Sequence, residues 1–342
     1  MSFFSRRSAI ALAAVAGLGL AGCVAAPTSA PTGGATTSPT TPAASGGAVL
    51  QVGIAQIVDH PSLNDLRDGF KEGMAEAGYV EGEHVVYEAR NAAGDQGTLA
   101  TIAASFASKD LIVAIATPTA QAMAQAIPDK PIFFAGVTDP VGAKLVASLE
   151  EPGGNVTGTS DFPPVADQLA LIKEVVPEAK TIGLLYSSAE TNSHIHAGMV
   201  KEAAPALGLE VREATVANSS EVAQAAESLK DVDAFFVGTD NTIVSAIESV
   251  VQVAEANKVP LIVSDPDSVV RGALAAYAVD YKAQGVQTGR MAAAMLKAGG
   301  TPADVPAETA KDLELSVNPG AAGRMGVTVP QAVLARADHT ID

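Results

Sequence analysis

Val49-Leu50-Gln51-Val52-Gly53-Ile54-Ala55-Gln56-Ile57-Val58 is a mostly apolar run that breaks into Asp59-His60-Pro61-Ser62. A short apolar run rich in β-branched residues and closed by turn residues reads as a buried strand. Leu63–Ala77 then has apolar residues at helical spacing and stops at Gly78, a residue suited to a helix C-cap. Strand, polar turn and amphipathic helix in that order make the opening βα unit of a parallel sheet.

The unit repeats along the chain. Strands are predicted at Val85–Ala89, Leu111–Ala116 and Pro131–Ala135, with a helix at Gln96–Ala107. A second set starts near Thr181, with strands Ile182–Tyr186, Glu210–Ala214, Ala234–Val237, Leu261–Val263 and Ala275–Ala278, and helices Ile195–Leu207 and Ser220–Leu229. Strands alternating with helices of this length imply right-handed crossovers, and two such sets imply an α/β protein of two doubly wound parallel-sheet lobes. Gly154–Asp161 leaves the first lobe and Ala278-Val279-Asp280-Tyr281 returns to it, so the connection is a hinge. The expected division is lobe 1 at 48–160 plus 281–312, lobe 2 at 161–280, and a C-terminal segment 313–342 returning across the hinge.

Ahead of the lobes, Arg6 and Arg7 precede an apolar stretch from Ala9 to Leu20 and then Ala21-Gly22-Cys23, the chain's single cysteine. A basic segment, a short apolar segment and small residues before a cut form an export signal, here residues 1–22. A cysteine at the cut resembles the bacterial lipobox, whose thiol is lipidated, so Cys23 is expected to anchor an exported protein to the cell membrane. Residues 24–47 are Ala, Pro, Thr, Ser and Gly with one Val and no charge, which marks a flexible tether spanning about 25–30 Å.

With 48% hydrophobic residues the chain can build a sizeable core, and its formal charge of −17 repels nucleic acid and anionic headgroups. No disulfide is available once Cys23 carries lipid. The histidines at 60, 84, 194, 196 and 339 form no metal-ligand pair, so neither metal nor cofactor is expected. Gly-x-Ser-x-Gly, Walker and dinucleotide fingerprints are absent, and an enzyme is not expected.

In an open parallel sheet, ligands bind beyond the carboxyl ends of the strands. Those ends are polar here: His60, Thr117-Pro118-Thr119, Thr138-Asp139 and Ser160-Asp161 in the first half, and Tyr186, Asn192-Ser193, Thr239-Asp240-Asn241, Asp265 and Asp280 in the second. Each loop alone has the chemistry of an ordinary cap or turn. Several converging from two lobes make a ligand crevice.

Read together, His60-Pro61-Ser62-Leu63, Gly94-Asp95-Gln96, Ala116-Thr117-Pro118-Thr119-Ala120-Gln121-Ala122, Thr138-Asp139-Pro140-Val141-Gly142-Ala143, Pro152-Gly153-Gly154-Asn155-Val156-Thr157-Gly158-Thr159-Ser160-Asp161, Thr239-Asp240-Asn241-Thr242 and Asp280-Tyr281 with Gln287-Thr288-Gly289 resemble the ABC-transporter substrate-binding lipoproteins of the tryptophan/tyrosine-binding family. The resemblance runs from Val49 to Ala337. Two stretches depart from it: Asp59 stands where Glu is expected, and Asn318-Pro319-Gly320 reads as a surface turn.

The resemblance implies a type I periplasmic-binding fold, no catalysis, a monomer, and delivery of a small solute to an ABC permease. The implied ligand is an amino acid, most simply an aromatic one. Asp240 is then the expected ammonium acceptor, Thr117, Thr119 and Ser193 the carboxylate donors, and Tyr186, Phe134, Phe162 and Tyr281 the candidate aromatic wall. A sensory receptor of the same fold and a lipid-anchored enzyme are the alternatives.

Overall fold

The computed structural model describes residues 49–341. The stretch read as a signal peptide, Cys23 and the tether lie outside the described residues. The first lobe opens with β1 (Leu50–Gln56), α1 (Pro61–Glu76), β2 (Val85–Asn91) and α2 (Gln96–Ser105). It continues with β3 (Leu111–Ile115), α3 (Thr117–Ala126), β4 (Ile132–Ala135) and β5 (Val156–Ser160). The second lobe contains α4 (Val165–Val175), β6 (Thr181–Ser187), α5 (Thr191–Ala203), β7 (Glu210–Val216), α6 (Val222–Ser228) and β8 (Ala234–Val237). After these come α7 (Asn241–Ser245), α8 (Ile247–Asn257), β9 (Leu261–Val263), α9 (Pro266–Val270) and β10 (Ala275–Val279). The chain then returns to the first lobe as α10 (Tyr281–Ala298) and β11 (Glu308–Thr309). It ends in the second as β12 (Leu313–Val317), α11 (Pro319–Arg324), α12 (Gln331–Leu334) and β13 (His339–Thr340).

The first sheet has the order β11-β5-β4-β3-β1-β2 and is parallel throughout. The second has the order β13-β12-β10-β9-β8-β6-β7, with one antiparallel pair, β10 with β12. Strand order reverses at β1/β3 in one lobe and at β6/β8 in the other. These are the switch points at which α/β sheets open a crevice.

Each lobe has its own apolar core. Phe70, Phe106, Phe133 and Phe134 are fully buried in the first, and Phe235 and Phe236 in the second. The chain passes between the lobes after β5, after β10 and after β11. The helix that follows the second passage is locked to lobe 1 by glycines. A methyl on Gly69 would strike the Lys282 carbonyl, and one on Gly289 the Phe70 carbonyl, so α1 and α10 touch backbone to backbone.

β5 lies within the stretch read as a crossover. Val-Thr-Gly-Thr-Ser is not an apolar run, yet every residue of it is buried. Its hydroxyls are satisfied from outside the strand: Thr157 Oγ1 donates to the Val305 carbonyl at 2.8 Å, and Thr159 Oγ1 pairs with Thr288 Oγ1 at 2.6 Å. Gly158 has φ +152° and presses on the Phe134 backbone, an approach closed to any side chain. Asn318, expected in a surface turn, is instead a buried N-cap of α11 that accepts from Ala321 N and donates to the Val269 carbonyl. A cap and a turn use the same residue types, and only burial separates them.

Candidate functional site

The carboxyl ends of the strands from both lobes meet in one crevice. Lobe 1 contributes His60 and Leu63 after β1, Ala116 and Thr117 after β3, and Gly136 and Thr138 after β4. Lobe 2 contributes Asn192, the Gly238–Asn241 turn after β8, Val244 and Asp265. Asp161 and Tyr281, the residues that follow the first two passages between lobes, complete the lining. The crevice is a narrow slot, with a cavity volume of about 30 Å³.

The lobes are closed on each other. Thr138 Oγ1 and Thr239 Oγ1 lie 3.0 Å apart, Ser62 Oγ donates to Asp267 Oδ2 at 2.7 Å, and Thr191 Oγ1 donates to Gln121 Oε1 at 3.2 Å. A solute reaches the slot only when these contacts part.

The slot is acidic and its lining has no Lys or Arg. Asp161 is buried; Oδ2 accepts from the Tyr281 hydroxyl at 3.2 Å, while Oδ1 has no hydrogen-bond partner among the described residues. Burial pushes its carboxyl up to about 6, against the pull of the Tyr281 bond. Burial likewise raises Asp265, whose Oδ2 is also without a partner among the described residues. Burial, and after it the charge of Arg271, holds His60 down at about 4, so its ring is neutral at ordinary pH.

The N-terminus of α3 lines the same slot. Its first helical bond runs from Ala120 N to the Ala116 carbonyl, so the N–H groups of Thr117 and Thr119 precede the helix ladder. Ala116 takes φ +72°, a conformation unfavourable for a residue with a Cβ. That strain sits where the chain turns from strand into helix at the crevice wall. The hydroxyls of Thr117 and Thr119 are buried and have no partner among the described residues. N–H groups, a helix dipole and the Thr117 hydroxyl at the slot wall together suit a carboxylate.

Of the residues singled out in sequence, His60, Thr117, Thr138, Asp161, Asn192, Thr239, Asp240, Asn241 and Asp265 line the slot. Pro118 and Thr119 lie in the buried first turn of α3 behind Thr117, and Ser160 supports the floor by donating to the Thr138 carbonyl. Three others face elsewhere. Asp139 accepts from Val141 N and Gly142 N in its own turn. Asp280 caps α10 through Ala283 N and faces a groove outside the slot. Tyr186 donates to Glu213 on the next strand and packs its ring edge-on against His194.

Asp240 has a bracing role within lobe 2. Its Oδ1 accepts from Ile243 N at 2.7 Å, and its Oδ2 from Ser187 N at 2.5 Å and Ser193 Oγ at 2.6 Å. Asp240 and Ser193 therefore brace lobe 2, the Ser193 hydroxyl proton being committed to Asp240, while Asp240 also stands in the slot wall. Burial and then the neighbouring Glu190 charge raise the Asp240 carboxyl. Of the four candidate aromatics, Phe134 is core and Phe162 is half exposed; only Tyr281 lines the slot. Sequence reasoning also passed over Glu190, which is buried and accepts from Asn241 Nδ2 at 2.6 Å and Thr242 Oγ1 at 2.7 Å. Its setting, Ala189-Glu190-Thr191, reads as an exposed turn.

Two doubly wound lobes closed over a polar slot at their switch points define a solute-binding protein of the type I periplasmic-binding kind. The chain belongs to the ABC transporter substrate binding protein family, whose model matches residues 51–341. That is a family of binding proteins, not of enzymes. The chain is 43% identical over 270 residues to a tyrosine-binding protein of Clostridioides difficile, covering 78% of each chain. A Streptococcus pneumoniae structure in complex with L-Trp is 39% identical, with a TM-score of 0.82 over 86% of this chain and 100% of that one. A ligand-free, open Clostridium difficile substrate-binding protein is also 39% identical but has a TM-score of 0.66, covering 86% of this chain and 99% of that one. At equal identity the backbone follows the L-Trp complex better than the open form, in keeping with the contacts between the lobes.

Proposed function

We propose that this chain is an exported lipoprotein that captures an aromatic amino acid between its lobes and presents it to an ABC permease in the same membrane. The observation that carries the reading is the pairing of opposite demands in one slot. Asp161 Oδ1 is a buried acceptor without a partner among the described residues, and the α3 N-terminus with Thr117 and Thr119 is a cluster of donors. An α-amino acid zwitterion meets both, with its ammonium on Asp161 through a charge-assisted bond and its carboxylate on α3. Leu63, Val244 and the Tyr281 ring offer an apolar bed for the side chain.

The tyrosine-binding relative and the L-Trp complex support an aromatic choice. The Cys23 anchor and the uncharged tether support residence beside a permease, as does the family to which the chain belongs. Calorimetry against the twenty amino acids tests the reading. Heat from Trp, Tyr or Phe is expected; silence from all three, with clear binding of a sugar, would refute it.

A further inference from the structure

We infer that Asn192 makes the slot select side chains that end in a hydrogen-bond donor, an indole N–H or a phenol O–H, over a plain phenyl ring; the inference rests on the amino-acid reading above. Asn192 is buried in the first turn of α5. Its Nδ2 donates to the Thr239 carbonyl at 2.7 Å and to Glu190 Oε2 at 3.2 Å. Every bond made to Glu190 is a donation, from Asn192, Asn241 and Thr242, so Glu190 acts only as an acceptor. Both partners of the amide nitrogen are thus acceptors, and the carboxamide cannot be turned over.

The oxygen is thereby fixed in place. Oδ1 is buried and has no partner among the described residues, and Asn192 is one of the residues of the crevice wall. An amide oxygen accepts and never donates, so only a donor can satisfy it. Within the slot, the donors of an ammonium go to Asp161 at the hinge, while the carboxylate goes to α3 in lobe 1. Asn192 comes from the other lobe, which with Val244 and Gly238 supplies the wall left for the side chain of the ligand. Asp240, by contrast, already takes three donors from within lobe 2. A phenyl ring would bury Oδ1 against carbon, at the cost of an unsatisfied acceptor.

Calorimetry on the full chain with L-tryptophan and β-(3-benzothienyl)-L-alanine, in which sulfur replaces the ring N–H, tests this from the ligand side. L-tyrosine and L-phenylalanine form a second pair. The donor-bearing member of each pair is expected to bind about 5- to 150-fold tighter. Asn192→Ala should bring both ratios to within about twofold, the level at which a bond worth a few tenths of a kcal/mol vanishes. Should Asn192→Ala fail to fold, the wild-type comparison decides alone. Equal affinity within each pair in the wild type overturns the role of Asn192 and leaves the amino-acid reading standing. No binding of any of the four overturns the amino-acid reading itself.

Discussion

The Tyr281 hydroxyl donates to Asp161 Oδ2 at 3.2 Å, and the two residues stand on different passages of the chain between the lobes. Asp161 directly follows β5, and Tyr281 opens α10 just after β10. The floor of the crevice is therefore made by the hinge itself, and a ligand that bonds Asp161 touches the segments about which the lobes turn.

Asp161→Asn removes the charge and keeps the shape. Truncating one side of a buried charge pair costs about 2–5 kcal/mol, so affinity for the amino acid should fall roughly 30-fold or more. Melting temperature should hold or rise, because a buried carboxylate without a full set of donors is relieved. Asp240→Asn should do the reverse. It disturbs the α7 cap and the bonds from Ser187 and Ser193, lowering stability by about 1 kcal/mol or more and changing affinity little. Calorimetry and thermal melts on both variants separate the two roles.

Binding should weaken in acid. An ammonium needs Asp161 ionised, and in the ligand-free protein this carboxyl is pushed up to about 6 by burial. The bound ammonium favours the ionised form, so ligand binding releases a proton wherever free Asp161 is protonated. Affinity should be flat above about pH 7 and fall roughly tenfold by pH 5. His60, held down at about 4, stays neutral across this window. Tyr281→Phe deletes a bond that lowers the Asp161 carboxyl, so the fall should begin at higher pH. Titrations between pH 5 and 8 check both.

Closure should follow the ligand. The contacts between Thr138 and Thr239 and between Ser62 and Asp267 are modest polar bonds, each contributing about 0.5–1.5 kcal/mol. A ligand touching both lobes adds its differential affinity for the closed form. Small-angle scattering should show a smaller radius of gyration with the amino acid, and the melting temperature should climb with its concentration. Ser62→Ala should shift the ligand-free protein toward the larger radius and leave the liganded radius unchanged.

Cys23→Ser should release the protein from the membrane fraction and leave ligand affinity as it was. The proposed anchor, Cys23, lies ahead of the uncharged stretch 24–47, far along the chain from the slot. Fractionation followed by calorimetry of the soluble variant checks both halves.

The sheets were legible because β1, β3, β4, β8 and β9 are apolar runs that break into turn residues, the signature of parallel strands buried on both faces. β5 was not, because its burial depends on Thr157 and Thr159 finding partners in Val305 and Thr288, far along the chain. The location of the slot could be read from the polar strand ends, whereas the division of roles within it could not. Asp161 and Asp240 look alike as isolated carboxylates at strand ends, yet its own helix cap and two tertiary contacts give Asp240 three donors, while one oxygen of Asp161 has none among the described residues. Tyr281 was legible as an aromatic on the returning crossover, whereas its bond to Asp161 depends on the hinge bringing the two together.

The most direct test of the zwitterion site is calorimetry of the full chain with L-tryptophan beside indole-3-propionate, which lacks the ammonium, and tryptophanamide, which lacks the carboxylate. Each deletion leaves a buried charged or polar partner uncompensated, so both analogues should bind at least about 30-fold more weakly than tryptophan. In Asp161→Asn the penalty for losing the ammonium should largely disappear, while that for losing the carboxylate should persist. Indole-3-propionate binding the wild-type protein as tightly as tryptophan would contradict the assignment of Asp161 and, with it, the site proposed here.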